Sequence, residues 1–254
     1  PDRLQNALPQ SQWIVAPGPD WAGCRGVSID SRSVNPGNMF IAIRGDNHDG
    51  HEYAQSAVDG GAALLLVEED VGIRTVPCLK VDDTQSAMME LANAHRDTLS
   101  HVPVIAVTGS CGKTTVKELL RSVLSELGDV CASRRSFNNH IGLPLTMLEA
   151  SCQHHAVILE MGTSSPGEIQ RLASIARPDF GIVTMIGSGH LAELVSLEGV
   201  AREKYSMLPH VGAEAWIRND GFPLPEGVRA QVHQFGEGQQ LACHEVQCAQ
   251  NSTS

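Results

Sequence analysis

A short glycine-rich segment, VTGSCGKTT, combines residue types that bind phosphate groups. Gly109 and Gly112 allow the backbone to curl with its N–H groups pointing inward, which creates a concavity for anions. Lys113 adds a positive charge suited to β- and γ-phosphates, and the Thr114 hydroxyl is suited to Mg²⁺. The spacing departs from the usual G-x-x-x-x-G-K-[ST] pattern, because Val107 stands five residues before Gly112. We predict a phosphate-binding loop here; the alternative is a tight turn that carries a lysine by chance.

The elements around this loop have the order that a phosphate-binding loop requires. Residues 104–107 form an apolar run typical of a buried strand. From 114 to 127, apolar residues recur at intervals of three and four, which predicts one face of a helix. The positive end of the macrodipole of this helix would add to the attraction for phosphate. Strand, loop and helix therefore support the phosphate-site interpretation.

Polar residues follow three other predicted strands. Glu160 ends the apolar run AVILEM, and His190 follows a strand predicted at 180–186. Asn138 and Asn139 lie in the segment SFNNHIGLPLT, interpreted as a loop after the strand at 130–133. Open α/β sheets bind ligands at the carboxyl ends of their strands, so we expect these side chains near the phosphate loop. The alternatives are a solvated carboxylate for Glu160 and a structural role for His190.

Composition restricts the class of protein. The 254 residues carry a formal net charge of −11, which argues against a nucleic-acid partner. No apolar run has the length of a membrane span, so we expect no membrane insertion. The seven cysteines are scattered without a C-x-x-C pair, which indicates neither a disulfide framework nor a zinc site. A cytoplasmic location fits these features best.

The pattern of elements changes along the chain. Up to about residue 95 it predicts a strand–turn–strand unit at 26–43, a helix at 53–63, a strand at 63–68 and a helix at 85–96. After a polar segment at 95–103, interpreted as a hinge, strands and helices alternate regularly. The further strands are predicted at 156–161 and 214–217, and the further helices at 167–176 and 197–208. We predict an α/β protein: a small mixed α/β domain at 1–98, then a mostly parallel-sheet domain at 99–254.

Taken together, five ordered segments resemble the central domain of the Mur ligase family. They are VTGSCGKTT, SFNNHIGLPLT, ILEMGTSSPGEI, RPDFGIVTMIGSGHL and SLEGVAREK. The earlier segment SIDSRSVNPGNMFIAIRGDNHDGHEY is similar to the uridine-binding domain of that family. Within the family, the resemblance favours the dipeptide-adding members. It implies an ATP-dependent ligase of peptidoglycan precursor synthesis with ATP and Mg²⁺ as cofactors, and a monomer.

The resemblance also implies a reaction. The carboxylate of UDP-N-acetylmuramoyl-tripeptide would attack the γ-phosphate of ATP and give an acyl phosphate. The amine of D-alanyl-D-alanine would then displace the phosphate and leave an amide. The family has a third, closing domain that this sequence lacks, and the tail at 239–254 is interpreted as a strand of an unfinished sheet. The chain is therefore expected to be a fragment that is inactive alone.

Residue roles follow from the same resemblance. The loop residues would bind the ATP phosphates: Gly109, Ser110, Cys111, Gly112, Lys113, Thr114 and Thr115. Thr114, Glu160, His190 and Lys204 would hold the metal, and Lys204 would be carbamylated. The catalytic residues would be Lys113, Glu160, His190 and Lys204. Substrate would be bound by Ser31, Arg32, Asp49 and His51 near the uridine nucleotide, and by Asn138 and Asn139 in the cleft.

Other functions stay open at this point. A family member that adds a single amino acid would share most of these motifs. A non-catalytic nucleotide-binding module would bind nucleotide without turnover. A conventional P-loop kinase or GTPase is disfavoured by the short loop and by the lack of an Asn-Lys-x-Asp signature. Cys111 within the loop predicts inhibition by a thiol reagent, with protection by Mg-ATP.

Overall fold

The computed structural model describes residues 2–45, 47–134, 137–188 and 194–236. Within these residues the α-helices are α1 (Asp2–Ala7), α2 (Ala54–Asp59), α3 (Thr84–Arg96), α4 (Lys113–Leu124), α5 (Gly142–Glu149), α6 (Glu168–Ala176) and α7 (Leu197–Tyr205). The strands are β1 (Gln12–Val15), β2 (Val27–Ser28), β3 (Met39–Ile41), β4 (Leu64–Val67), β5 (Cys78–Lys80), β6 (Val104–Thr108), β7 (Val130–Ala132), β8 (Ala156–Glu160), β9 (Phe180–Val183), β10 (Glu214–Arg218) and β11 (Gln231–Phe235).

The strands form two sheets that follow one another in the chain. The first has the order β1-β5-β4-β3-β2, and only its β1–β5 pair is antiparallel. The second has the order β11-β10-β9-β6-β8-β7 and is parallel throughout. This confirms the predicted α/β fold with a mostly parallel sheet in the second half of the chain.

Strand β6 lies at the point of the second sheet where the strand order reverses. It pairs with β8 on one side and with β9 on the other. The connections that follow β6 and β8 therefore run to opposite sides of β6. The crevice at such a switch point is the usual ligand site of an open α/β sheet. The loop after β6 and the end of β8 therefore meet at the edge where a ligand is expected.

Helix α3 contributes to the cores of both sheets. Ala87, Met88 and Leu91 pack in the core on one face of the first sheet. Met89 and Ala92 pack in the core of the second sheet. α3 lies against α5 and α6, which belong to the second half of the chain. The first and second halves of the chain are thus joined by an apolar contact as well as by the polypeptide.

The polar segment predicted as a hinge is anchored in this structure. The Arg96 guanidinium is buried and donates to the carbonyl oxygens of Leu99, Ala176 and Arg177. It also forms an ion pair with Asp179 at 2.9 Å. The end of α3 therefore belongs to the packing of the second sheet. Rotation between the halves, and the division at residue 98, stay predictions.

The element predictions of the second half are confirmed with bounds that differ by up to three residues. The interpretation of SFNNHIGLPLT as a loop is wrong from Gly142 onward, because α5 begins there. Pro144 lies in the first turn of α5, where a backbone N–H has no intrahelical acceptor, so the proline is tolerated. Four further elements were not predicted, namely α1, β1, β5 and β11. The tail predicted as a strand lies outside the described residues.

The described part of the chain contains no helix that is both long and apolar enough to cross a membrane. Its five cysteines are free thiols: Cys24, Cys78, Cys111, Cys131 and Cys152. Burial raises the pKa of the Cys24 thiol to about 12 and that of Cys131 to about 11.

Candidate nucleotide and metal site

The glycine loop between β6 and α4 turns at its two predicted glycines, which both have positive φ angles. Gly109 has φ +141° and Gly112 has φ +85°, both in the region that favours glycine. A Cβ atom on Gly109 would collide with the Thr184 hydroxyl, so this position also requires glycine for space. α4 begins directly after Gly112, which leaves its first N–H groups free of intrahelical acceptors.

The loop is fastened to the chain that follows β9. The Ser110 N–H donates to the Met185 carbonyl at 2.9 Å, and the Ser110 hydroxyl donates to the Gly187 carbonyl at 3.1 Å. The Thr184 hydroxyl donates to the Cys111 carbonyl. These bonds hold the loop in a defined shape before any ligand binds, which lowers the entropic cost of binding.

Three predicted site residues meet at the start of α4. Lys113 Nζ donates to the Gly109 carbonyl at 2.7 Å, so the ammonium lies over the loop. Thr114 Oγ1 donates to Glu160 Oε2 at 2.9 Å. Glu160 ends β8 and is only 3% exposed. A buried carboxylate beside a hydroxyl and the phosphate loop is suited to holding Mg²⁺.

The two asparagines have different surroundings. Asn138 Nδ2 donates to Glu160 Oε1 at 3.1 Å, which places this side chain beside the carboxylate. Asn139 Oδ1 accepts from the N–H groups of Ile141 and Gly142 at the start of α5. Asn139 also lines a cavity of about 210 Å³ that includes Gly162. Asn138 is thus joined to the candidate metal site, and Asn139 lies at a neighbouring cavity.

Lys204, on α7, is buried without a partner. It is 0% exposed, and its Nζ has no hydrogen-bond partner among the described residues. Burial lowers the pKa of this amine to about 8, and repulsion from the Lys113 ammonium contributes. Burial of an unpaired cation lowers the stability of the folded state. A lysine at this buried position therefore indicates a functional role.

The first sheet holds a second cavity at the predicted nucleotide-sugar site. It measures about 570 Å³, and Ser31 and Arg32 are among its lining residues. The Arg32 side chain is 87% exposed and pairs with Asp30 at 2.7 Å. The Arg32 guanidinium lowers the pKa of Asp30 to about 2. Ser31 and Arg32 are therefore placed where a solvent-exposed ligand can reach them.

Asp49 and His51 flank Gly50, which lines this cavity, but they are not among its lining residues. His51 is buried, its Nδ1 lies 2.6 Å from Asp49 Oδ1, and its Nε2 accepts the Glu68 N–H at 2.8 Å. The proton of the ring therefore lies on Nδ1. The His51 backbone N–H, with the ring, lowers the pKa of Asp49 to about 2. Both ring nitrogens of His51 are engaged within the protein, and a direct contact of His51 with substrate stays a prediction.

His190 lies outside the described residues, so its predicted role as a metal ligand stays a prediction. Among the described residues, no group of three His, Cys, Asp or Glu side chains forms a ready-made metal cage. A metal held here would depend on Thr114, Glu160 and the oxygens of bound phosphates, which is the usual manner for Mg²⁺.

Lys117 and Glu203 are buried charged residues to which the sequence analysis gave no role. Lys117 is fully buried beside Glu160, at 3.8 Å from its Oε2. Glu203 accepts the N–H groups of Gly167 at 2.7 Å and Ile169 at 2.9 Å, and so caps α6. The sequence did carry a signal for the burial of Lys117, because this residue lies on the same face of α4 as Leu120 and Leu124.

The chain is similar to known proteins, both in family models and in individual relatives. A model of the Mur ligase family, catalytic domain, matches residues 24–107, and a Mur ligase middle domain model matches residues 107–246. UDP-N-acetylmuramoyl-tripeptide–D-alanyl-D-alanine ligases are similar: that of Synechocystis is 39% identical over 191 residues, and that of Bacillus subtilis 38% over 190. These matches cover 74% and 72% of this chain, but 42% and 40% of the relatives.

Solved structures give the same result. MurF from Acinetobacter baumannii superposes with a TM-score of 0.80 at 30% identity, over 93% of this chain and 53% of that one. MurF from Thermotoga maritima in complex with ADP has a TM-score of 0.73 at 29% identity, over 85% and 51%. The chain thus spans about two fifths of the length of the curated relatives it matches. Because the two family models together match most of the sequence, the chain belongs to the Mur ligase family.

Proposed function

We propose that the protein is an ATP-dependent ligase that joins D-alanyl-D-alanine to UDP-N-acetylmuramoyl-tripeptide in peptidoglycan precursor synthesis. The names of its relatives support the substrates and the reaction class. The observation that carries the proposal is the buried Lys204 amine, which has no hydrogen-bond partner among the described residues. A protein that only bound nucleotide would have no use for such a costly group.

The two substrates are proposed to use different sheets. The cavity beside Ser31 and Arg32 is suited to the uridine nucleotide, with residues 1–98 as the domain that binds it. The loop from Gly109 to Thr115 is suited to ATP, with residues 99–254 as the second domain. The tripeptide would extend toward Asn138 and Asn139. A ligand that spans both sheets would need them held in a fixed relation, as the shared packing of α3 provides.

The residues of the loop would act mainly by position and charge. The free N–H groups at the start of α4 and the Lys113 ammonium would hold the β- and γ-phosphates, and the charge on the γ-phosphate would be spread over these donors. The tripeptide carboxylate would form a bond to the γ-phosphorus as ADP leaves. The amine of the dipeptide would then form the amide as phosphate leaves. No protein nucleophile is needed for either step.

The candidate metal site fits Mg²⁺. Bound there, Mg²⁺ would neutralise negative charge on the phosphates. Thr114 and Glu160 would hold it, with His190 as the further ligand that the resemblance predicts. Lys204 is proposed to be carbamylated: its neutral amine forms a bond to the carbon of CO₂ and loses a proton. The product is an anionic carbamate, so an unpaired buried cation becomes an oxygen ligand.

The test is phosphate release by the full-length protein with UDP-N-acetylmuramoyl-tripeptide, ATP and one amine acceptor at a time. D-alanyl-D-alanine is expected to stimulate release, and Lys113→Ala to abolish it. Stimulation by a single amino acid instead would identify another member of the family. ATP binding without any release would identify a nucleotide-binding module. Sedimentation of the same sample tests the proposed monomer, and fractionation of the source cells tests the proposed cytoplasmic location.

A further inference from the structure

Lys117 is a buried lysine that has partners on three sides. It is 0% exposed, and its Nζ donates to the Ser133 carbonyl at 2.8 Å. The same Nζ lies 3.2 Å from Glu118 Oε1 and 3.8 Å from Glu160 Oε2. Glu118 is half-exposed, and Arg121 and then Lys117 hold its pKa below the ordinary value. The ammonium is therefore fixed from both the helix and the strand side.

Lys113 and Lys117 lie one helical turn apart on α4 but have different surroundings. Lys113 is half-buried and lies over the phosphate loop, where a ligand can reach it. Lys117 points toward the sheet and is closed off from solvent. Its contact with the candidate metal site is therefore through Glu160 and not through a ligand in solvent.

The Glu160 carboxylate is oriented by three side chains. Asn138 donates to Oε1, while Thr114 donates to Oε2 and the Lys117 ammonium lies near the same oxygen. The Glu160 backbone N–H donates to the Ser133 hydroxyl at 3.2 Å, and the Ser133 carbonyl accepts from Lys117. Lys117 therefore joins the strand end and the carboxylate in one network.

We propose that Lys117 is a positioning residue for Glu160, whose Oε2 it holds aligned for Mg²⁺ together with Thr114. This proposal rests on the function proposed above, in which Glu160 holds the metal. Groups that orient a metal-binding side chain commonly change metal affinity or activity roughly 10–100-fold when removed. A purely structural lysine would change stability alone.

The first experiment measures the Mg²⁺ concentration that gives half-maximal binding of a fluorescent ATP analogue to the full-length protein. Lys117→Met keeps the aliphatic stem and removes the charge. We expect it to raise that concentration roughly 10–100-fold. Glu118→Gln is the matched control, since it removes another partner of Lys117 and leaves the contact with Glu160. An unchanged Mg²⁺ requirement in Lys117→Met, or an equal rise in both variants, would overturn the proposal.

The second experiment keeps the proposal testable if Lys117→Met is unstable. Thermal unfolding in EDTA is compared for wild type, Lys117→Met, Glu160→Gln and the double variant. If the two charges interact, the double variant loses less stability than the two single losses added together. Additive losses would overturn the proposal. Should Lys117→Met fail to fold, a folded double variant supports the interaction and an unfolded one refutes it.

The two proposals fail in different ways. A wild-type protein that binds no nucleotide at any Mg²⁺ concentration contradicts the proposed function, and the unfolding comparison still decides whether Lys117 and Glu160 interact. A wild-type protein that binds Mg-nucleotide and releases phosphate, with a normal Mg²⁺ requirement in Lys117→Met, contradicts only the role of Lys117.

Discussion

Replacement of Lys204 by methionine should make the unliganded protein more stable. The Lys204 amine is 0% exposed and has no hydrogen-bond partner among the described residues. Methionine is of similar length and carries no charge, so it fills the space without the cost of a buried cation. The same change should abolish the proposed ligase activity of the full-length protein, because the proposed carbamate cannot form.

The size of the effect follows from the pKa of this amine. Burial lowers it from 10.5 to about 8, and one pKa unit corresponds to about 1.4 kcal/mol. Below pH 8 the amine is charged in both states, so the folded state bears a cost of about 3 kcal/mol. Between pH 8 and 10.5 the unfolded state binds more protons, so wild-type stability rises with pH. The advantage of Lys204→Met should therefore be largest near pH 7 and vanish near pH 10.5.

The assay is chemical denaturation of wild type and Lys204→Met at pH 7 and at pH 9.5, in buffer free of CO₂ so that no carbamate forms. Lys80→Met is the control, because Lys80 is exposed and its replacement should change stability little at either pH. A Lys204→Met variant that is no more stable than wild type at pH 7 would refute the reasoning. So would an advantage that grows at pH 9.5.

Three further predictions concern other described residues. A thiol reagent should inactivate the enzyme at the exposed Cys111, and Mg-ATP should protect it; equal inactivation rates with and without Mg-ATP would contradict this. Glu203→Gln should lower the free energy of unfolding by about 1–3 kcal/mol, because a charged acceptor for two N–H groups of α6 is lost; an unchanged denaturation midpoint would contradict it. Arg96→Met should cost about 3–5 kcal/mol, since it leaves buried carbonyls unpaired, whereas Arg177→Met at the exposed pair with Asp97 should cost less than about 1 kcal/mol. Similar losses for these two variants in urea would show that burial is not the cause.

The conformation of the glycine loop and of the strand and helix beside it could be predicted from the sequence because all of its determinants are local. Gly109, Gly112 and Lys113 lie within five residues of one another, and the strand and helix periods on either side are read from neighbouring positions. The placement of Glu160 followed from a general property of parallel sheets, whose carboxyl ends share an edge. Periodicity and strand polarity were enough for these features.

The partners of the buried charges could not be predicted in this way. Lys117 appears in the sequence as one lysine of an amphipathic helix, yet it is the buried residue of α4, while Leu119, Val123 and Leu127 nearby are more than half exposed. Its burial depends on Ser133 and Glu160, which lie 16 and 43 residues further along the chain. α5 was missed because a Gly-Leu-Pro sequence ordinarily indicates a turn, and the packing of α5 against α3 outweighs that preference.

The way α3 is shared has a consequence for any attempt to divide this protein. A cut after residue 98 would leave Met89 and Ala92 as an uncovered apolar strip on the first piece. The second piece would lose the Arg96 guanidinium from the carbonyls at the end of α6. Each piece made alone would then aggregate more readily than the intact chain, and heat should melt both sheets in a single cooperative transition rather than in two.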